Sequence, residues 1–320
     1  MKHWTRRGAA AWLLWPASMA YGMAARLRRT FLKGRHPGIP VIVVGNLTVG
    51  GSGKTPLVLW IAEFAKQRGW SPAIVSRGYG ARVDTPRAAT IASEPAQVGD
   101  EPILLARRSG CPVWVGADRG QVIRALRAAH PEVDLLILDD GLQHYRLARD
   151  LEIAVVDSRG FGNGFLLPAG PLREPRSRLG SVDAVVSHDA PVPGYGMALE
   201  GVELHRMTDA RERVLAAAFP EKVVHAVAGI GDPNRFFLHL ARLGLKPLPH
   251  PFPDHHPFVP ADLDFGDERP VLMTEKDAVK LRGAARANWW VLPVSARLDD
   301  AFAAWLTRRL DEFRRRSQAA

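Results

Sequence analysis

Short, wholly apolar runs alternate along most of the chain with stretches whose apolar positions recur every three or four residues. VIVVG (41–45), PAIVS (72–76), PVWVG (112–116), DLLILDD (134–140) and LEIAVVD (151–157) are of the first kind and read as buried strands. Between them, TPLVLWIAEFAKQRG and the stretch from Asp118 to about Ala129 carry helical spacing. Pro56 lies in the first turn of the former, and Gly69 follows its end. Strands alternating with helices predict a mostly parallel sheet covered on both faces.

The pattern loosens from about Gly160 into FGNGFLLPAGPLREPRSRLG, and DAVVSH (183–188) then predicts the last strand of this unit. Residues 199–215 fit a connecting strand or ribbon. A smaller unit follows, with VVHAVAGIG (223–231) as strand and turn, DPNRFFLHLARLG as a helix, and RPVLMT (269–274) and NWWVLPV (288–294) as strands. AFAAWLTRRLDEFRRR closes the chain as an amphipathic helix with a basic end. There is no internal repeat and no low-complexity tract.

Charge changes the reading of the N-terminus. The net charge is +10, and the first acidic residue is Glu63; Lys2, Arg6, Arg7, Arg26, Arg28, Arg29, Lys33, Arg35 and Lys54 all come earlier. Between Arg7 and Arg26 lies the uncharged GAAAWLLWPASMAYGMAA, with Trp4, Trp12, Trp15 and Tyr21 in or beside it. Aromatic rings beside arginines on an apolar helix suit a bilayer interface. A spanning helix, a cleaved leader and a helix packed on its own protein are the competing readings. The run is alanine-rich, short and broken by Pro16, so attachment to an anionic membrane surface is favoured. Nucleic acid is not expected, because no binding signature accompanies the basic residues. Composition, with 47% apolar and 24% charged residues over 320 positions, is that of a globular chain. Cys111 is the only cysteine, which excludes an internal disulfide and a thiolate metal cluster and fits a reducing compartment.

Chemistry concentrates after the first strand. GNLTVGGSGKTP (45–56) sits between a buried strand and a helix, as a phosphate-binding loop requires, although Thr48 stands where the first glycine of that pattern belongs. Thr48, Val49, Gly50, Gly51, Ser52 and Gly53 would wrap backbone amides around phosphate oxygens, Lys54 would reach the outer phosphates and Thr55 would meet Mg²⁺. Val49 occupies the place where partitioning-type ATPases carry a second lysine. Asp139 or Asp140, at the end of an apolar strand, could hold the metal. Asp100 of GDEPILLAR reads from its spacing as a helix cap, with proton acceptance as the alternative. DHH (254–256) is open between turn, metal and proton relay, zinc being disfavoured for want of other ligands. TEKD (274–277) reads as a capping box.

Taken together, GNLTVGGSGKTP, SRGYG (76–80), GDEP (99–102), DDGLQH (139–144), LPAGPLREP (167–175), AGIGDPNRF (228–236), DHH and TEKDAVK (274–280) resemble, in order and over nearly the whole chain, the tetraacyldisaccharide 4'-kinases. The resemblance implies transfer of the ATP γ-phosphate to the 4'-hydroxyl of a tetraacylated glucosamine disaccharide 1-phosphate in lipid A synthesis. It further implies the cytoplasmic face of the bacterial inner membrane and Mg²⁺ as cofactor; a monomer is expected, since no oligomer is required. By the same resemblance Asp100 is the base, assisted by His255 rather than His256. Lys54, Arg119 and Arg173 are contacts to the phosphates, and Asp139, Asp140, Gln143 and Glu174 stand at or near the metal. In that family Thr48 is the normal residue. The expected architecture is α/β: a membrane-associated helical segment (1–36), a P-loop NTPase-like domain with a mostly parallel sheet (37–198), a linker (199–222) and a smaller α/β domain (223–320). A nucleotide switch or metallochaperone-like binding protein is the alternative.

Overall fold

The computed structural model describes residues 4–32, 34–81, 83–281 and 283–318. Lys2 and Lys33, counted above among the N-terminal cations, lie outside the described residues. Helix α1 (Ala9–Phe31) comes first. The chain then runs through β1 (Val41–Gly45), α2 (Lys54–Lys66), β2 (Pro72–Ser76), β3 (Arg87–Ala89), α3 (Pro95–Val98) and α4 (Asp100–Ser109). β4 (Val113–Val115), α5 (Arg119–Ala129), β5 (Leu135–Asp139), β6 (Leu151–Asp157), β7 (Ala184–His188) and β8 (Tyr195–Glu200) follow. A smaller lobe holds β9 (Glu203–Arg206), β10 (Arg213–Leu215), β11 (Val223–Ala228), α6 (Pro233–Arg242), β12 (Lys246–Pro251), β13 (Val271–Thr274), α7 (Glu275–Ala278) and β14 (Trp289–Leu292). β15 (Ser295–Leu298) and α8 (Asp300–Gln318) end the described chain.

The larger sheet has the order β15-β8-β7-β6-β1-β5-β2-β4-β3 and is parallel except at its two edges, β3 and β15. Because successive strand residues point to opposite faces, β1 feeds two cores. Ile42 and Val44 pack with Leu57 and Ile61 of α2 and Ile103 of α4, while Val41 and Val43 pack with Val122 and Leu126 of α5. Burial on both faces is why these strands are apolar at every position. The smaller sheet, β10-β9-β14-β13-β11-β12, is likewise covered on both sides, by α6 on one and by Phe258 and α7 on the other.

Two segments lie elsewhere than the sequence pattern placed them. The strand at 184–188 is not the last of its unit, because β8 continues the larger sheet and β15 returns to it, Ser295 pairing antiparallel with Glu200. The closing helix also belongs to the larger lobe, where Phe302, Leu306, Leu310 and Phe313 fill the core beside α2. Its amphipathic pattern announced a buried face but not which sheet would bury it. The smaller lobe is thus residues 203–292, inserted between two adjacent strands of the larger.

In both sheets the parallel strands direct their carboxyl ends toward one cleft, the usual position of ligand sites in such folds. The loop after β1 meets the turn after β11 there: a Cβ on Gly231 would lie 2.8 Å from the Gly51 nitrogen.

Candidate active site

The phosphate loop leaves β1 at Gly45 and enters α2 at Lys54, with Gly50 (φ 100°) and Gly53 (φ 79°) in left-handed conformations that favour glycine. Its first half is pinned from outside. The Val49 amide donates to Pro171 O at 2.9 Å, Thr48 bridges Leu172, and the Arg173 amide donates to Leu47 O at 2.6 Å. Thr48 therefore serves a short pairing with the LPAGPLREP segment. Inside the loop, Asn46 Nδ2 reaches Thr48 Oγ1 and Gly50 O, both at 3.3 Å, and Lys54 Nζ donates to Asn46 Oδ1 at 3.3 Å. Arg159, itself held by buried Asp157, donates to Gly51 O. Ser52 is buried, and its hydroxyl has no partner among the described residues.

The paired aspartates behave differently from one another. Asp140 (φ 52°) turns to face two cations, Arg173 Nη1 at 2.9 and 3.0 Å and Lys54 Nζ at 3.6 Å. Burial raises its pKa, but Lys54, Arg173 and Arg119 together bring it below the usual carboxylate value. Asp139 is 1% exposed, and its Oδ1 has no partner among the described residues. Burial first, then the Glu101 charge and that of Asp140, push its carboxyl well above the usual range against the pull of Lys54 and Arg119. A buried, unpartnered carboxylate oxygen beside a phosphate loop and Thr55 is a hard-oxygen donor set suited to Mg²⁺. Among the described residues no group of three or more His, Cys, Asp or Glu could hold a metal unaided. A cation here would therefore share its shell with phosphate oxygens and water.

The other predicted residues brace this centre. Gln143 donates to Asn46 O at 3.1 Å and accepts from Arg173 at 3.3 Å, linking loop and arginine. Glu174 lies just behind, accepting from Tyr145 Oη at 2.6 Å and paired with Arg178 Nε at 3.3 Å, while its Oε1 has no partner among the described residues. Arg119 is buried at the start of α5, donating to Gly116 O at 2.9 Å. Burial and the Arg77 charge push its guanidinium down to about 10, with Asp140 and Asp139 pulling the other way.

Asp100 does not cap α4. The helix follows Gly99, Asp100 Oδ1 reaches only the next amide, accepting from Glu101 N–H at 2.9 Å, and the carboxylate faces His255 from the smaller lobe, 3.1 Å from Nδ1 to each oxygen. His256 turns away to Asp262 at 3.0 Å. Burial raises the Asp100 pKa, but the His255 hydrogen bond and the charges of Lys276, His255 and Lys280 outweigh it and bring it to about 2. His255 sits at φ 61°, so two of the three described non-glycine residues at positive φ, Asp140 and His255, line this cleft.

A family model described as tetraacyldisaccharide-1-P 4'-kinase matches residues 10–311. The chain belongs to this family. A tetraacyldisaccharide 4'-kinase from Dechloromonas aromatica (strain RCB) is 50% identical over 313 residues, spanning 95% of this chain and 94% of the relative. One from Pseudomonas paraeruginosa is 47% identical over 318 residues and 96% of each chain. The crystal structure of the "apo" form of LpxK from Aquifex aeolicus in complex with ATP is similar at TM-score 0.79 and 30% identity, covering 95% of this chain and 99% of that one. The mostly parallel α/β architecture of the kinase family is thus the one expected from the strand pattern.

Sequence reasoning missed several residues of the kinase cleft. Asn46 carries no motif signal beyond its place in the loop. Lys276 and Lys280 were hidden under the capping reading of TEKD, although their i, i+4 spacing puts them on one face. Glu101 and Asp254 take their roles only where the two lobes meet, and Arg159 only through its packing on Gly51 within the larger lobe.

Proposed function

We propose that the chain transfers the γ-phosphoryl group of ATP to the 4'-hydroxyl of a tetraacyldisaccharide 1-phosphate, the kinase step of lipid A synthesis. The observation that carries this reading is the Asp100–His255 pair, set across the cleft from a phosphate loop whose lysine is already buried against Asp140. The glycine-rich amides and the α2 N-terminus would cradle the phosphates, with Lys54 and Arg173 neutralising their charge. Thr55 and Asp139 would hold Mg²⁺, which when bound draws charge from the transferring group. Gln143 ties Arg173 to the loop, and Glu174 stands behind, held by Tyr145 and Arg178. Asp100 is a carboxylate throughout the working pH range; it would accept the hydrogen bond of the attacking hydroxyl, and His255 would share the proton. A loose phosphoryl transition state asks more of positioning than of a strong base.

Helix α1 supports a surface-bound enzyme. It packs through small residues: Ser18 Oγ donates to Leu166 O at 2.8 Å and accepts from the Ala169 amide at 3.0 Å, and Ala11 is buried. Trp12, Leu13, Met19, Met23, Leu27 and Phe31 are left exposed in a stripe along the helix. No helix among the described residues is long and apolar enough to cross a membrane. The stripe would lie in the headgroup region, beside a substrate whose acyl chains stay in the bilayer.

The test is transfer of ³²P from ATP to the disaccharide 1-phosphate in mixed micelles, with and without Mg²⁺. Phosphorylated lipid that disappears with chelator is expected; no product from folded protein would overturn the reading. Removal of residues 1–31 is expected to weaken binding to anionic vesicles at least tenfold, and unchanged partitioning would remove α1 from the membrane.

A further inference from the structure

Within TEKDAVK, Thr274 does cap α7, its hydroxyl accepting from the Asp277 amide at 3.2 Å. That role uses neither lysine. Lys276 and Lys280 both turn toward the Asp100–His255 pair. Lys276 Nζ lies 3.4 Å from His255 Nε2, 3.0 Å from Glu101 Oε1 and 3.0 Å from Asp254 Oδ1. Lys280 Nζ lies 3.4 Å from Asp100 Oδ2 and 2.9 Å from Asp277 Oδ1. Asp277 is fully buried and accepts as well from the Gly229 amide at 3.0 Å and the Thr274 hydroxyl at 2.7 Å, so the ends of β11 and β13 fix it. Burial opposes the Lys276 charge, and the carboxylates of Glu101, Asp100 and Asp254 more than offset it.

We propose that Lys276 is a positioning residue for phosphoryl transfer, donating to the outer nitrogen of His255 while gripping Glu101 of the larger lobe. This rests on the dyad reading above. A histidine's tautomer is set by the bond its other nitrogen makes. With Lys276 on Nε2, the ring proton belongs on Nδ1, directed at Asp100. His255 then acts as a donor to Asp100, and the carboxylate, not the imidazole, receives the substrate hydroxyl. Lys280 holds the far oxygen of Asp100 from the same helical face. The same bonds tie the lobes: Lys276 and Lys280 come from the smaller one, Glu101 and Asp100 from α4.

The groups facing the imidazole are Asp100 from α4, Asp254 at 3.7 Å from its own loop, Lys276 from α7, and the Tyr79 ring at 4.8 Å between centroids, with Lys280 and Glu101 one contact further out. Lys276 is the cation in direct reach.

The experiment compares Lys276→Met, which keeps the apolar stem, with Lys276→Arg, in the transfer assay across pH and by ¹⁵N NMR of the histidines. Lys276→Met is expected to lower kcat about 10–100-fold and to leave the ATP KM within about twofold. The His255 resonances should change from one tautomer to a mixture, and Lys276→Arg should restore most of kcat. The Nδ1–H tautomer retained in Lys276→Met would overturn the proposal, even if kcat and melting temperature fell together. Asp100→Ala and His255→Ala are run alongside. If they lose kcat while Lys276→Met keeps the Nδ1–H tautomer, only the lysine assignment falls; if they keep kcat, the dyad and the lysine fall together.

Discussion

The phosphate loop and the Asp100–His255 pair share one cleft but keep their shapes by different means. The loop is braced almost entirely from within the larger lobe, by Asn46, Gln143, Arg159 and the 171–173 backbone. The pair exists only where two lobes meet, since Asp100 comes from α4 and its partner lies 155 residues later. Neutral and backbone hydrogen bonds dominate the first, whereas buried and partly exposed ion pairs among Asp100, Glu101, Asp254, Lys276 and Lys280 dominate the second. The half that cradles a nucleotide benefits from being preformed. A site that must exclude water during transfer benefits from a half completed by closure.

That contrast can be broken at four points, in descending order of effect. Asp100→Ala should reduce kcat by about 10²–10⁴ while changing the ATP KM less than threefold, and adding His255→Ala should cost little more, because the two act as a unit. Steady-state kinetics of the two single variants and the double variant decide this; additive losses would mean independent roles. Lys54→Ala should cost about 10²–10³ in kcat/KM for ATP, with the lipid KM nearly unchanged. Gly231→Ala places a methyl group 2.8 Å from the Gly51 nitrogen, backbone against backbone. Overpacking costs about 1–3 kcal/mol, so an ATP KM about tenfold higher is expected, with a smaller change in kcat. The smallest effect is on acid stability. The Asp100 pKa falls from 3.8 to about 2 on folding, so its carboxylate contributes about 2 kcal/mol above pH 4, lost as pH falls toward 2. The urea midpoint of Asp100→Asn should lie below that of the parent at pH 6, and the gap should narrow as the pH approaches 3.

How much could be read beforehand follows the same division. Strands β1, β2, β5, β6 and β7 are apolar because both faces are covered, and the residues alone reveal that. β12 (KPLPHP) escaped notice because prolines at 247, 249 and 251 argue against a strand; it forms as the edge of its sheet, where a missing amide costs no pairing. β15, a polar SARL, is a strand only because β8 lies beside it. The loop announced itself through local spelling. Asp100 did not, since an acid before Glu-Pro at a helix start looks like a cap whether or not it bonds the backbone. The choice between His255 and His256 rested on resemblance alone and became physical only when Asp262 was seen to occupy the second.

The return of the chain after the smaller lobe has a consequence for synthesis. Residues 295–318 supply an edge strand and the core side chains Phe302, Leu306, Leu310 and Phe313 to a sheet begun at Val41. During translation the insert, 203–292, is therefore whole before its host is. The larger lobe must wait on the ribosome with an apolar face of α2 uncovered until its last helix emerges. Premature termination near residue 293 should spare the lobe made second and leave the lobe made first unfinished, the reverse of the ordinary amino-to-carboxyl order of domain maturation.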